Sequence, residues 1–170
     1  MTRGLLQTVA MALVLAGWAT PGRAEEANAC TSFKWPLARE QQLFAGGPAH
    51  VTAQGAFPLA AAAARVDLQA VNGLTFAVPP ERKPVAGSFA ALLQLDPAPA
   101  AGLYQVTLSA EAWIDVVQDG KPVKSGAFSG KEGCPSLRKS VRFALEAKPT
   151  LLQISNAKAS TIDIAILQAQ

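Results

Sequence analysis

Histidine occurs once in the chain, as His50, cysteine twice, as Cys30 and Cys134, and tyrosine once, as Tyr104. A single histidine excludes most metal chemistry that one chain can perform alone. A non-haem iron dioxygenase, homogentisate dioxygenase included, needs two histidines and a carboxylate with open positions on the metal. Catalytic zinc sites fail for the same shortage. His50 follows Gly-Gly-Pro-Ala, a loop context, and is expected to be exposed or to cap a neighbour. No metal and no cofactor is therefore expected. Charge is also scarce, at 16% of residues against 50% hydrophobic. That balance excludes a disordered chain.

The first 24 residues hold no acid. Arg3 supplies a positive start, residues 9–19 are apolar and uncharged, and Pro21 and Gly22 stop any helix at the end of that run. Gly22-Arg23-Ala24 places small residues where a signal peptidase reads. These features predict a secretory signal over residues 1–24, cut after Ala24, and a single domain over residues 25–170. The alternative is an N-terminal anchor. The apolar run would reach roughly 16 Å as a helix, about half the hydrocarbon thickness. Glu25, Glu26 and Asn28 separate Cys30 from that run, which argues against lipidation. No later stretch can cross a membrane as a helix, so the mature chain is expected to be periplasmic or secreted. Loss of Arg3 and Arg23 leaves thirteen of the fifteen basic residues against twelve acids, a net of +1. Nothing in that balance calls for nucleic acid.

An exported thiol pair meets oxidising conditions, so Cys30 and Cys134 are expected to form a disulfide. The alternative is a reactive thiol at Cys134, whose neighbours Lys131, Arg138 and Lys139 would lower its pKa. A hydrolase of that kind would have only His50 as its base.

Period-two alternation dominates the rest. A short helix is expected over residues 37–44, entered at Pro36 and stopped by Gly46-Gly47, with a strand over residues 32–37 as the competing reading. Residues 59–64 are alanine-rich. Residues 65–71 and 74–78 flank Asn72-Gly73 and predict a hairpin. Further strands are expected over residues 89–95, 103–109 and 113–117, then a tight turn at Asp119-Gly120 into residues 123–128. Val141, Phe143 and Leu145 alternate with Ser140, Arg142 and Ala144. Residues 151–155 and 162–167 form a closing pair, with Ile162, Ile164 and Ile166 facing in and Asp163 and Ala165 facing out. Eight or nine short strands at regular spacing predict an all-β, antiparallel β-sandwich, jelly-roll-like or Greek key, with at most one short N-terminal helix.

The run Ala101-Gly102-Leu103-Tyr104-Gln105-Val106-Thr107-Leu108 resembles the G-x-Y-x-V-x-L strand of small exported β-sandwiches, such as the bacterial pre-peptidase C-terminal type. Residues 151–155 and 162–166 look like the closing strands of those modules. The resemblance covers residues 84–167 and implies binding or packing rather than chemistry. The chain as a whole is also similar to small exported proteobacterial proteins of unknown function.

Catalytic patterns are few. Ser136-Leu137-Arg138-Lys139 matches S-x-x-K but lacks the S-D-N and K-T-G companions of penicillin-binding enzymes. Glu111 and Asp115 share a strand face about 13 Å apart, too far for paired acid–base work, and read as solvated carboxylates. Lys121, Lys124, Lys131, Arg138, Lys139 and Arg142 form a candidate basic surface for an anionic partner, or a solvated edge protected by lysines. Trp35, Tyr104 and Trp113 are the candidate aromatic contacts, with core or rim placement as the plainer reading of Trp113. The chain thus reads as an exported, non-catalytic binding or accessory module whose partner is an unknown protein or glycan of the envelope. The alternatives are a small enzyme without a histidine-based site, which requires a cleft with shifted pKa values, and a subunit of an envelope assembly, which requires a large apolar face.

Overall fold

The computed structural model describes residues 30–59 and 62–170. The expected signal peptide and the middle of the alanine run lie outside the described residues. Among the described residues the helix α1 (Ala38–Ala45) is followed by twelve strands: β1 (His50–Thr52), β2 (Ala56–Phe57), β3 (Ala63–Asp67), β4 (Gln69–Ala70), β5 (Phe89–Leu95), β6 (Gly102–Leu108), β7 (Trp113–Gln118), β8 (Lys121–Val123), β9 (Ser125–Gly130), β10 (Lys139–Leu145), β11 (Thr150–Ala157) and β12 (Thr161–Gln168).

Two sheets pack face to face. The first runs β1-β3-β12-β6-β10-β9, and the second β2-β5-β11-β7-β8 with β4 also on β5. Their facing sides supply the core: Leu93, Leu152, Ile154 and Val116 from the second sheet, Val66, Val106, Leu108, Val141, Phe143 and Ile164 from the first. The expected β-sandwich is therefore the fold, and the expected helix sits within one residue of its predicted bounds. The competing strand over residues 32–37 does not form.

Three details differ from the sequence expectations. The sheets are mixed, because β1 pairs in parallel with β3 and β2 in parallel with β5. Strands of three and two residues are too short to carry a legible alternation. The Asn72-Gly73 hairpin is absent. Residues 63–67 pair with β12 and β1, whereas Gln69–Ala70 pairs with β5 across the sandwich. The chain changes sheets at Leu68, and Val66 and Leu68 stay buried on either side of the crossing. Asn72-Gly73 lies in a single 3-10 turn, and Leu74–Val78 joins no ladder. Gly73 lacks the positive φ that a type I′ turn demands. Finally, β11 and β12 do not pair with each other but lie in opposite sheets. Asp119-Gly120 behaves as expected. Both residues have positive φ, 52° and 70°, and close the β7–β8 hairpin at Gln118↔Lys121.

A third layer covers the outer face of the first sheet. Phe33, Leu37 and Phe44 pack with Ala63, Ala165, Leu137 and Cys134. Ala165 does point out of its sheet as expected, but it lands under this cover rather than in solvent. Several polar atoms on the same face are paired within the layer, although Glu40 Oε2 has no partner among the described residues. Glu40, fully buried, receives the Gln105 side-chain amide. The Trp35 indole donates to Ser140 Oγ, as does Thr107. Cys30 and Cys134 are disulfide-bonded, with Cα atoms 4.9 Å apart across 104 residues of sequence. The bond holds the entry segment against the loop between β9 and β10.

A cross-link over a loop of this length removes about 4–5 kcal/mol of unfolded-chain entropy in the simple model. Cys134→Ser is expected to lower unfolding free energy by about 2–5 kcal/mol in urea titrations. Reductant should lower the wild-type chain to the same level and leave the variant unchanged.

Candidate functional site

The β7–β8 hairpin does not run its full length. Its arms pair from Gln118↔Lys121 to Val116↔Val123. At Lys124 the chain leaves the second sheet and continues as β9 on β10 of the first. Residues 113–115 of β7 therefore keep β11 on one side and have no strand on the other among the described residues. The two arms part like a fork and leave a cleft of about 820 Å³. That is within the range of small-molecule sites.

One wall of the cleft is inward-facing and apolar: Ile114, Val116, Val141 and Phe143, with Val123 near the fork. The other side is the outer face of β7, with Trp113, Asp115 and Val117, and the loop at Val78–Arg82. Phe128 of β9, 55% exposed, stands at the opening.

The loop is hung on side chains of β7 and β11. Gln153 Oε1 accepts the N–H groups of Ala77 and Val78, and its amide donates to the Val78 carbonyl. Asn156 accepts from the Val85 N–H, and Asp115 from the Glu81 N–H. These bonds bring the Arg82 guanidinium to 4.7 Å from the centre of the Trp113 ring. Lys139 approaches the same ring at 4.6 Å and Phe128 at 5.9 Å, and it donates to the Ala112 carbonyl at 3.1 Å. Neither Lys139 nor Arg82 has a carboxylate within ion-pair distance among the described residues.

The electrostatics of the cleft are perturbed in both directions. Burial pushes the Lys139 ammonium below its usual pKa, and the neighbouring Arg82 and Arg138 add to the shift against Glu111 and Asp115. Burial likewise pushes the Asp115 carboxyl up, opposed by hydrogen bonds from the Glu81 N–H and the Trp113 indole. Asp115 Oδ2 is buried with no hydrogen-bond partner. Opposite shifts of a half-buried lysine and a half-buried acid in one cleft mark it as a candidate site.

The candidate basic surface does not form one face. Lys124, Arg138 and Lys139 line the cleft, while Lys121 and Lys131 are exposed outside it. Arg138 is held by Glu111 at 3.4 Å and Glu132 at 3.2 Å. Arg142 lies on the opposite side of β10, stacked 4.2 Å from the Trp35 ring centre and donating to Gln105 Oε1. Three residues along a strand reverse the face, so Lys139 and Arg142 must diverge.

Of the three aromatic candidates, only Trp113 is at the cleft. Tyr104 is in the core, 4% exposed, with its hydroxyl on the Ala100 carbonyl. Trp35 is half-buried in the covering layer beneath Arg142. Two corrections concern the carboxylates and the histidine. Asp115 is half-buried with its Oδ2 shielded, whereas Glu111 precedes β7 and so shares no strand face with it, and is exposed and paired with Arg138. His50 begins β1 rather than lying in a loop, is exposed, and approaches Asp67 at 3.4 Å. Ser136 and Lys139 make no hydrogen bond to each other among the described residues, so the S-x-x-K match is not assembled. No group of three histidine, cysteine or carboxylate side chains capable of holding a metal occurs among the described residues. No helix among them is long and apolar enough to cross a membrane.

Arg82 was not legible as a site residue, because nothing in its proline-rich loop marks it. Lys139 did carry a signal. It stands in phase with Val141, Phe143 and Leu145, and so belongs to the inward face of β10.

The shift of Lys139 carries a signed pH dependence. Its folded pKa lies below the unfolded value near 10.5, so the folded state binds fewer protons between the two. Stability contributed by this group therefore rises with pH across that window. Relative to wild type, Lys139→Met should be at its most favourable at neutral pH. That relative advantage should shrink as pH climbs towards 10.5, measured by urea unfolding at a series of pH values.

No protein-family model, no curated protein and no solved structure matches this chain, so the reading of the cleft rests on its own residues.

Proposed function

We propose that the chain is an exported, non-catalytic β-sandwich binding module, acting in the periplasm or outside the cell, and that the fork between β7 and β9 is its binding site. The observation that carries this reading is the pair of cations, Lys139 and Arg82, held on one indole at the opening of an apolar cleft without a carboxylate of their own among the described residues. Such a cleft is lined for contact and supplied with a few convergent polar groups, as binding sites are. The disulfide suits an oxidising compartment, and the arrangement of Arg3, the apolar run and Ala24 supplies the export route.

A second reading, a small enzyme using Asp115 and Lys139, draws on their opposite pKa shifts. It lacks a nucleophile hydrogen-bonded to either group among the described residues. A role as an assembly subunit has less support. The large apolar side chains exposed among the described residues are Val85, Leu103 and Phe128, on a loop, on β6 and on β9.

N-phenyl-1-naphthylamine, a neutral fluorophore, is expected to bind the processed, oxidised chain at one site with a blue-shifted emission. Val123→Trp, which fills the fork, should abolish that signal without loss of the sheet circular dichroism. Absence of saturable binding would sink the reading. N-terminal sequencing of the chain recovered from a bacterial periplasm is expected to begin at Glu25; an intact Met1 in that fraction would remove the export half.

A further inference from the structure

The two sides of the fork differ in chemistry, and that difference specifies a class of ligand. The inner part is hydrocarbon, from Ile114, Val116, Val141 and Phe143. The opening holds Lys139 and Arg82 within 5 Å of one indole centre, at 4.6 and 4.7 Å. Arg82 disfavours the charge on Lys139, and neither is neutralised by an acid within ion-pair distance among the described residues. Three acids among the described residues also line the cleft, none within ion-pair distance of Lys139 or Arg82: Glu111 pairs with Arg138, Asp115 Oδ1 accepts the Trp113 indole and the Glu81 N–H while its Oδ2 has no partner, and the Glu81 carboxylate is exposed. An anion at the opening would relieve that repulsion in a setting where charge is only partly screened by water.

We infer that the ligand is a long-chain carboxylate, with its acidic head between Lys139 and Arg82 beside Trp113 and its chain laid into the fork between β7 and β9. The inference rests on the cleft being the binding site. Several features favour this occupant over others. A polyanion would need several free donors gathered at one point, whereas Lys124 lines the cleft without sharing the Trp113 ring and Arg138 is already paired. A glycan would need hydrogen-bonding groups along its length, whereas the inner wall is aliphatic and aromatic. An extended peptide would need a free strand edge, but residues 113–115 offer only three positions and Lys139 already occupies the adjoining Ala112 carbonyl. The amphiphile matches both ends of the cleft: its chain removes apolar surface from water, and its single charge meets the unpaired cations.

The test is displacement of N-phenyl-1-naphthylamine from the processed, oxidised chain by laurate and by dodecanol, its neutral counterpart of equal length, both below their aggregation limits. Laurate is expected to bind about tenfold or more tighter, the effect of one or two charge-assisted hydrogen bonds. Lys139→Met and Arg82→Gln should each weaken laurate by about tenfold and dodecanol by less than about twofold. Lys121→Gln, outside the cleft, should change neither. Arg82 is exposed, so its variant is a safeguard should Lys139→Met fold poorly.

Equal affinity for laurate and dodecanol would overturn the acidic head while leaving the cleft as a binding site. Failure of the fluorophore itself to bind would remove both readings. Displacement by an acidic hexapeptide but not by laurate would transfer the site to a peptide. Sedimentation with phosphatidylglycerol vesicles, without displacement by free laurate, would transfer it to a membrane surface.

Discussion

Every strand of this sandwich must keep its apolar side turned towards the gap between the sheets, and the chain must preserve that phase each time it crosses from one sheet to the other. Leu68 shows how the constraint is met. Val66 lies inside the first sheet, Leu68 is buried at the crossing, and Gln69–Ala70 then pairs on the second sheet. The backbone is anchored there by the Leu68 N–H on the Ser160 carbonyl. Breaking phase would turn a whole set of isoleucine and valine side chains to water, at roughly 1.5–3 kcal/mol for each one fully exposed.

The cleft is a consequence of another crossing. The hairpin arms must separate at Lys124 because β9 belongs with β10, and no strand among the described residues pairs with residues 113–115 on that side. Phase then determines which side chains enter that space. Lys139 precedes Val141 and Phe143 on the inward face of β10, so its ammonium is carried towards the interior instead of away from it. The Ala112 carbonyl and the Trp113 ring make that position tolerable. Burial is the leading cause of its lowered pKa. A charge on a core-facing position of a strand is costly unless something compensates it, which is why it is informative.

The outer layer follows a different logic. The segment around α1 has little alternation, and it is held by shape, by polar pairs and by a covalent bond. Phe33, Leu37 and Phe44 cover Ala165 and Leu137, while Ser140 accepts from Trp35 and Gln105 donates to one carboxyl oxygen of Glu40 on the same face of the sheet. The disulfide ties this cover to the loop that precedes β10, the strand carrying both Arg142 on the covered face and Lys139 on the cleft face. The cover and the cleft thus share one strand, on opposite sides.

Alternation, turn residues and two cysteines in the sequence determined the sandwich, the Asp119-Gly120 hairpin, the short helix and the disulfide. These are properties of neighbouring residues, or of a thiol pair with no other partner. Pairing was decided only by the tertiary structure: that Asn72-Gly73 joins no hairpin, that β11 and β12 part, and that the short early strands run parallel to theirs. A half-buried strand has the same pattern whichever sheet receives it. The site divided along the same line. The inward phase of Lys139 was written in β10, whereas Trp113 and Asp115 met it because β7 lies across the fork from β10, and Arg82 because hydrogen bonds from side chains of β7 and β11 drew a proline-rich loop across the sheet. Local sequence cannot encode such a meeting, since the partners lie dozens of residues apart and the loop has no period of its own.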